Sequence, residues 1–219
     1  MTAEEFRKRL EEEKDWAPGW QAIDQEFERI YPGQEPKHYG TNMAYRAMFG
    51  GNEYLDGCSL YLSDNGYRHL VTYGMTELYA DEKMLGAQWN KWGYEMTMKL
   101  PEQDSEKCLW AVDMLSNLAR YTYTEKRYFE PFQYVAGNGT SICKDRKSDI
   151  TALMTVYDTE VNAIDTIYGR TEFIQLVGIT EYELEMLKKD VDNPAKLYER
   201  IKQDNPYLVT DLSRTKSYL

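Results

Sequence analysis

The stretch Trp92-Gly-Tyr-Glu-Met-Thr-Met-Lys-Leu100 carries the clearest secondary-structure signal in the sequence. Successive side chains of a β-strand point to opposite faces of its sheet. The residues alternate accordingly, with one face formed by Trp92, Tyr94, Met96, Met98 and Leu100 and the other by Glu95, Thr97 and Lys99. The pattern therefore predicts a strand that has one apolar and one polar face.

A β-hairpin is predicted before this strand. The run Ser63-Asp-Asn-Gly66 is typical of a tight turn, and apolar stretches over residues 60–62 and 67–73 flank it. Further upstream, the alternation of Tyr45, Ala47 and Phe49 predicts another strand, which the following glycine pair would end.

Two helices are predicted at the start of the chain. Residues 3–14 have a helical composition with few apolar side chains, and we expect them to form a solvated arm within residues 1–16. Pro18 suits the first turn of a second helix, and Pro32-Gly33 would end it. Its apolar residues recur at helical spacing, at Trp20, Ile23, Phe27 and Ile30.

The second half of the chain predicts a mixture of both element types. Ser105 can cap a helix whose buried stripe continues to Ala119, and the run from Thr180 to Glu183 is a capping-box pattern that opens another helix. Asn193-Pro194 would start a third. Strands are predicted over 150–157, 171–179 and 207–211. Strict strand–helix alternation is absent, so we expect a single α+β domain over residues 1–219, with a mixed, largely antiparallel sheet flanked by helices.

Charge and composition exclude several function classes. The 219 residues include 26 Lys and Arg against 37 Asp and Glu, which gives a net charge of -11. Direct binding of nucleic acid or of anionic membranes needs a concentrated basic surface, so neither is expected. The chain contains only 2 His and no Cys-x-x-Cys pair, and we expect neither a metal site nor a cofactor.

The expected compartment is the cytoplasm. The N-terminal residues are charged throughout and lack the apolar core of a secretory signal, and no apolar run approaches the length of a membrane span. The 3 cysteines are far apart in sequence, as expected for reduced thiols. The 19 tyrosines are unusually many, and tyrosine is enriched both at protein interfaces and in half-buried strand positions.

Catalysis remains open as an alternative from the residues alone. Cys58 and His69 lie on neighbouring predicted strands and could form a nucleophilic pair, although a packed thiol beside a bonded imidazole is the simpler interpretation. The carboxylates of Glu77, Asp81, Glu82 and Glu95 fall near strand ends, where they could form a solvated cluster or a binding site. The alternative is a hydrolase site formed by Glu77, Asp81 and Glu95 with His69.

Eight segments in this order resemble the Suppressor of fused domain, and specifically a bacterial stand-alone member. The resemblance covers the chain from about Pro18 to Arg214. The segments lie at residues 31–41, 50–61, 69–79, 92–98, 117–121, 165–169, 173–180 and 208–212. The resemblance implies an α+β fold, no catalytic residues and a function in binding other proteins.

The resemblance also implies where a partner binds. The best-known animal member is a scaffold that sequesters a transcription factor in Hedgehog signalling, and it holds a partner peptide between this domain and a second one. Two acidic residues of that cleft match Glu95 and, approximately, Asp81, whereas a tyrosine of the animal motif is Leu70 here. Because the sequence ends soon after Leu212, we expect no second domain.

The functional hypothesis follows from these observations. Bacterial members resemble immunity proteins that bind and neutralise a toxin encoded beside them, and the acidic charge favours a basic toxin domain as the partner. A regulatory scaffold unrelated to toxins and a carboxylate-based hydrolase are the alternatives. The predicted partner-binding residues are Glu77, Tyr79, Asp81 and Glu95.

Overall fold

The chain folds around one mixed sheet of eight strands. The computed structural model describes residues 1–219. The strands are β1 (Lys37–Gly40), β2 (Gly57–Leu62), β3 (Arg68–Tyr73), β4 (Trp89–Leu100), β5 (Tyr134–Val135), β6 (Ile150–Tyr157), β7 (Ile164–Thr166) and β8 (Gly169–Thr180). Their order across the sheet is β1-β2-β3-β4-β8-β6-β5, and β7 pairs with β8 outside this path. Only the central β4–β8 pair is parallel, which confirms the predicted α+β class.

Five α-helices flank the sheet: α1 (Ala3–Glu12), α2 (Pro18–Ile30), α3 (Leu109–Glu125), α4 (Glu181–Lys189) and α5 (Asn193–Asp204). The capping box predicted at Thr180 is present, since its hydroxyl accepts from the N–H of Glu183 and the Glu183 carboxylate accepts in return. None of the helices is both long enough and apolar enough to cross a bilayer.

The β2–β3 hairpin forms where the turn residues predict it. Leu62 pairs with Arg68 at its closed end, and Gly66 takes a left-handed conformation with φ of 85°. Such a φ is accessible to glycine without a steric cost, because glycine has no Cβ atom. The turn therefore fixes the register between β2 and β3, and β3 pairs with β4 along its other edge.

Strand β4 is buried on both faces along most of its length. Met96, Met98 and Leu100 belong to the largest apolar cluster, which α3 covers through Ala111 and Leu115. The alternate residues Glu95, Thr97 and Lys99 have no exposed surface either. Buried polar groups require hydrogen-bonding partners inside the protein, so this half of the strand determines what must surround it.

Two further clusters complete the core. Helix α2 packs Ile23 and Phe27 against Tyr73 of β3 and Phe173 of β8. Helices α4 and α5 cover the β6 side of the sheet, with Leu197 of α5 fully buried. Helix α3, helix α2 and the α4–α5 pair thus cover three different sections of the sheet.

Two predicted strands are wrong. Tyr45, Ala47 and Phe49 lie in two consecutive 3-10 turns instead. Asn42 caps the first turn and Gly50 ends the second in a left-handed conformation, so the local turn chemistry overrides the alternation.

Residues 207–211 likewise form no strand, although the N–H of Thr210 donates to the carbonyl of Lys99 at 2.8 Å. The segment makes only isolated backbone hydrogen bonds, and its Leu208 is fully buried in the cluster beneath α5. One isolated backbone bond does not make a ladder, which explains the difference from the predicted strand.

The N-terminal arm is more firmly attached than its composition predicts. Phe6 of α1 is buried against Trp16, with ring centroids 4.9 Å apart, and both belong to a small cluster with Tyr168. Most other residues of α1 are exposed. The buried Phe6 ring and the ion pair of Arg7 with Glu82 therefore hold this otherwise polar helix on the domain.

We expect Gly19→Ala to destabilise the protein. The N–H of Gly19 donates to the carbonyl of Leu78 at 3.0 Å, and a Cβ atom at this position would lie 1.9 Å from the carbonyl oxygen of Glu77. Such overpacking typically costs about 1–3 kcal/mol, measurable by urea unfolding. The control Gln21→Ala changes an exposed residue of the same helix. Equal stabilities for the two variants would contradict the close approach.

Candidate functional site

An open cleft lies where β3 leads into the segment 74–79, and we call it the Tyr79 cleft. Its volume is about 240 Å³. The walls come from three stretches of chain together with Lys91 and Tyr123. The stretches are residues 46–48, 53–56 and 74–79. Two of the four predicted binding residues, Glu77 and Tyr79, line this cleft.

One wall is held by a bonded set of three side chains. The Arg46 guanidinium contacts the Asp56 carboxylate at 2.9 Å, and the Tyr79 hydroxyl donates to the same carboxylate. Burial and the bond to Asp56 both raise the pKa of Tyr79, so its hydroxyl stays protonated at neutral pH. The ring of Tyr79 remains 45% exposed at the rim, where a partner can contact it.

The opposite wall combines an ion pair with stacked aromatic rings. Lys91 Nζ lies 3.7 Å from Glu77 Oε2 and 5.6 Å from the centroid of the Tyr123 ring. Tyr54 stacks on Tyr123 with centroids 4.4 Å apart. The Tyr123 hydroxyl donates to the carbonyl of Gly74 at 2.7 Å, which ties helix α3 to the cleft segment.

The cleft segment, residues 74–79, is held in place by one buried carboxylate, that of Glu95. Pairing between β3 and β4 stops at Val71 and Thr97, so the N–H groups beyond that point have no strand partner. The Glu95 carboxylate takes the place of the strand partner. It accepts hydrogen bonds from the N–H groups of residues 74, 75 and 76 and from the hydroxyls of Thr72 and Thr76, at 2.7–3.4 Å. Burial raises the pKa of Glu95, while the bonds from Thr76 and Thr72 act in the opposite direction.

The rest of the segment is held by neighbouring elements. The N–H of Glu77 donates to the side-chain oxygen of Asn90 at 2.8 Å. The carbonyl of Leu78 accepts from the N–H groups of Gly19 and Trp20 at the start of α2. Bonds from β4 and α2 thus fix the backbone that presents Glu77 and Tyr79.

The other two predicted residues have different positions. Asp81 lies beyond the cleft, where its carboxylate caps a 3-10 turn by accepting from the N–H of Lys83. Glu95 is fully buried under the segment, so direct contact between Glu95 and a partner does not fit this structure. The alternating pattern predicted a polar face for β4, and in the fold that whole face, with Thr97 and Lys99 as well as Glu95, is covered by other parts of the chain. Glu95 positions the cleft backbone instead.

Sequence reasoning missed several residues of the cleft. Arg46, Asp56 and Tyr123 are separated widely along the chain and are brought together only by the fold. Arg46 also lay within the wrongly predicted strand. No spacing signal in the sequence marks these residues as neighbours.

His69 belongs to a separate buried network. Its Nε2 lies 2.9 Å from the Asp158 carboxylate and its Nδ1 lies 2.8 Å from the Tyr31 hydroxyl. Both ring nitrogens of His69 therefore have hydrogen-bonding partners inside the protein. Cys58 packs in the apolar cluster beneath α3, whereas His69 contacts Phe27 of α2. The hypothetical Cys58–His69 pair is therefore split between two faces of the sheet.

Lys99 extends this network. Its ammonium lies 3.1 Å from Asp158, 2.7 Å from Glu160 and 2.7 Å from the Thr159 hydroxyl, all without exposure of the lysine. Asp158 also accepts from Thr97 at 2.6 Å. Burial alone would raise the pKa of Asp158, but His69 and Lys99 outweigh it and hold that pKa far below its ordinary value.

The family model for the Suppressor of fused protein (SUFU) matches residues 51–215, which is most of the chain. The chain belongs to the Suppressor of fused family. This confirms the resemblance drawn from the ordered motifs. The matched range contains the Tyr79 cleft except its stretch 46–48, and it contains Asp158 and Lys99 of the buried network.

Known SUFU proteins agree with this assignment. The human Suppressor of fused homolog is 25% identical over 213 residues, covering 90% of this chain and 43% of the human protein. A chain in the crystal structure of the Sufu–Fu complex matches with a TM-score of 0.78 at 23% identity, over 92% of this chain and 93% of that one. A SUFU homologue from Neisseria gonorrhoeae matches with a TM-score of 0.62 at 14% identity, over 92% and 97% of the two chains. This SUFU chain therefore spans less than half the length of its human relative.

We expect Glu95→Gln to destabilise the protein by about 2 kcal/mol or more. Five donors point at the carboxylate, and an amide NH₂ would leave some of them buried without an acceptor. Urea unfolding at neutral pH measures the loss. Glu199→Gln on the exposed side of α5 is the matched control. If both variants retain wild-type stability, Glu95 does not anchor the segment.

The lowered pKa of Asp158 predicts that the stability of the protein falls at acid pH. Because its pKa is lowered in the folded protein, its contribution is fully present above the ordinary value of 3.8 and is lost as the pH falls below it. Between about pH 4 and about pH 2 the free energy of unfolding of the wild type should fall more steeply than that of Asp158→Asn. The control Asp165→Asn changes a carboxylate that is 83% exposed and should retain the wild-type slope.

Proposed function

We propose that this chain is a non-catalytic protein-binding domain whose Tyr79 cleft, with its rim, forms part of the binding surface. The observation that carries the proposal is the exposure of the Tyr79 ring at the mouth of a cleft, on a segment whose backbone is rigidly held and whose Glu77 lines the same cleft. Family membership supports it, since a related Sufu chain has been solved in a Sufu–Fu complex. Asp81 extends the same surface beyond the cleft, and Glu95 supports it from below.

The rim has the composition of a protein interface. Beside the cleft, the two 3-10 turns carry Met43, Tyr45, Met48 and Phe49, which are 56–71% exposed. Large apolar and aromatic side chains next to a pocket are characteristic of residues that dominate binding energy. The charged groups of the cleft walls are paired internally, so a partner would meet mostly apolar surface here.

The net charge indicates the chemistry of the partner. A net charge of -11 favours the approach of a basic protein to this chain and repels nucleic acid. We propose a basic toxin domain, neutralised by binding in the cytoplasm, with this chain as the immunity protein. A regulatory scaffold is the second candidate, favoured by the similarity to the human Suppressor of fused homolog.

The residue arrangement does not favour the hydrolase alternative. Glu95 already accepts five hydrogen bonds, and His69 is bonded to Tyr31 and Asp158 on another part of the sheet. A catalytic base and acid must both reach a substrate, and these two groups have no exposed surface.

The partner test compares two exposed tyrosines. Tyr79→Ala should weaken binding to the product of the neighbouring gene by about tenfold or more, because an interface aromatic is lost. Tyr182→Ala removes a ring of α4 that is 56% exposed and should bind like the wild type. Isothermal titration measures both affinities.

Co-expression distinguishes the two candidates. The neighbouring product should arrest growth alone and become harmless when the wild-type chain is present, and Tyr79→Ala should protect less well than Tyr182→Ala. A neighbouring product that binds but is harmless alone would favour the scaffold. A chain that binds no neighbouring product would contradict the immunity role.

A further inference from the structure

A second and larger cleft lies on the other side of Lys91, and we call it the aromatic cleft. Its volume is about 630 Å³. The walls are the first residues of β4, the segment 128–131 and the adjoining ends of β6 and β8. Its characteristic side chains are Trp89, Trp92, Tyr128, Tyr157, Glu130 and Glu172.

An irregularity in the parallel β4–β8 pair creates this cleft. Trp89 pairs with Arg170 and Tyr94 pairs with Glu172, so β4 has more residues than β8 between the two points. Lys91 and Gly93 absorb the excess with left-handed φ angles of 56° and 81°. A Cβ atom on Gly93 would lie 3.1 Å from the Trp89 ring, so the glycine lets that ring lie close against the strand.

The aromatic rings around the cleft are open to solvent. Trp89 is 45% exposed, Tyr128 56% and Tyr157 54%, although each offers a large apolar surface. The chain itself shows that a cation is attracted here, since the Lys126 ammonium lies 5.6 Å from the centroid of the Trp92 ring. Ring faces carry negative potential and bind ammonium and guanidinium groups.

The charges at the cleft favour a cation over an anion. Glu172 is paired with Arg170 at 2.7 Å, and Lys91 is directed towards Glu77 and Tyr123 of the neighbouring cleft. Glu130 accepts from the Gln133 amide at 3.0 Å and has no basic partner. Glu130 is therefore the carboxylate of the lining that has no basic partner, and it lies at a cleft whose Trp92 ring already holds the Lys126 ammonium.

We propose that the aromatic cleft receives an arginine side chain from a basic protein partner. The planar guanidinium can stack on Trp89 or Tyr157 and donate two parallel bonds to the Glu130 carboxylate, which a lysine ammonium cannot match. The inference rests on the proposed function in that the arginine belongs to a protein. It adds a contact site outside the predicted residues, across Lys91 from the Tyr79 cleft.

A peptide titration tests the proposal without any natural partner. The probe is acetyl-Gly-Arg-Gly-amide, and the same peptide with citrulline is the uncharged control of equal shape. The readout is the indole N–H signals of Trp89 and Trp92 in two-dimensional NMR spectra, assigned with Trp89→Phe and Trp92→Phe. We expect saturable shifts of these signals with the arginine peptide and shifts at least about fivefold weaker with the citrulline peptide.

Variants locate the binding site. Glu130→Gln and Tyr157→Ala should each weaken the arginine peptide by about fivefold, because one removes the carboxylate and the other a ring face. Both positions are exposed, so folding is retained and is checked by thermal unfolding. Tyr182→Ala is the matched control on α4, and its affinity should equal that of the wild type.

Each remaining outcome overturns the proposal. Equal shifts from the arginine and citrulline peptides would show that charge is not recognised. Wild-type affinity in both Glu130→Gln and Tyr157→Ala would place the peptide elsewhere. Neither result bears on the proposal for the Tyr79 cleft. That proposal is tested with Tyr79→Ala and the protein partner, and the peptide experiment contains no protein partner.

Discussion

The burial of the polar half of β4 is the constraint on which the rest of the structure depends. Glu95, Thr97 and Lys99 alternate with core residues and have no access to water. Each must find partners inside the protein, because an unsatisfied buried donor or acceptor costs on the order of 1–3 kcal/mol. The partners they find organise two separate regions, one at each end of this buried half of the strand.

At the end of this half where the β3–β4 pairing stops, the Glu95 carboxylate replaces the missing strand partner. The β3–β4 ladder stops, and the carboxylate binds the N–H groups that the ladder leaves free. At the other end, Lys99 and Thr97 converge on Asp158, which also binds His69. The first arrangement shapes a surface cleft, whereas the second locks the loop after β6 against β3. The buried Glu95 therefore positions a surface segment, whereas the buried Lys99 and Asp158 hold parts of the core together.

The two clefts share one origin in the same strand. Lys91 lines both, and the left-handed residues of β4 that open the aromatic cleft also place Lys91 beside Glu77. A partner that covered both clefts would meet exposed tyrosines on either side of this lysine. The abundance of tyrosine is thus divided, since Tyr67, Tyr73 and Tyr168 are fully buried while Tyr79, Tyr128 and Tyr157 are exposed.

The sequence by itself determined the class of fold, the hairpin at residues 63–66, the capping box at Thr180 and the family, because these depend on local turn chemistry, periodicity and ordered motifs. It also predicted Glu77 and Tyr79 as binding residues, and the structure shows that both line one cleft. Only the tertiary structure decided that Glu95 is inaccessible, that Cys58 and His69 lie apart, and that Arg46, Asp56 and Tyr123 meet. Alternation assigns a residue to one face of a strand, but burial of that face depends on elements that are distant in sequence.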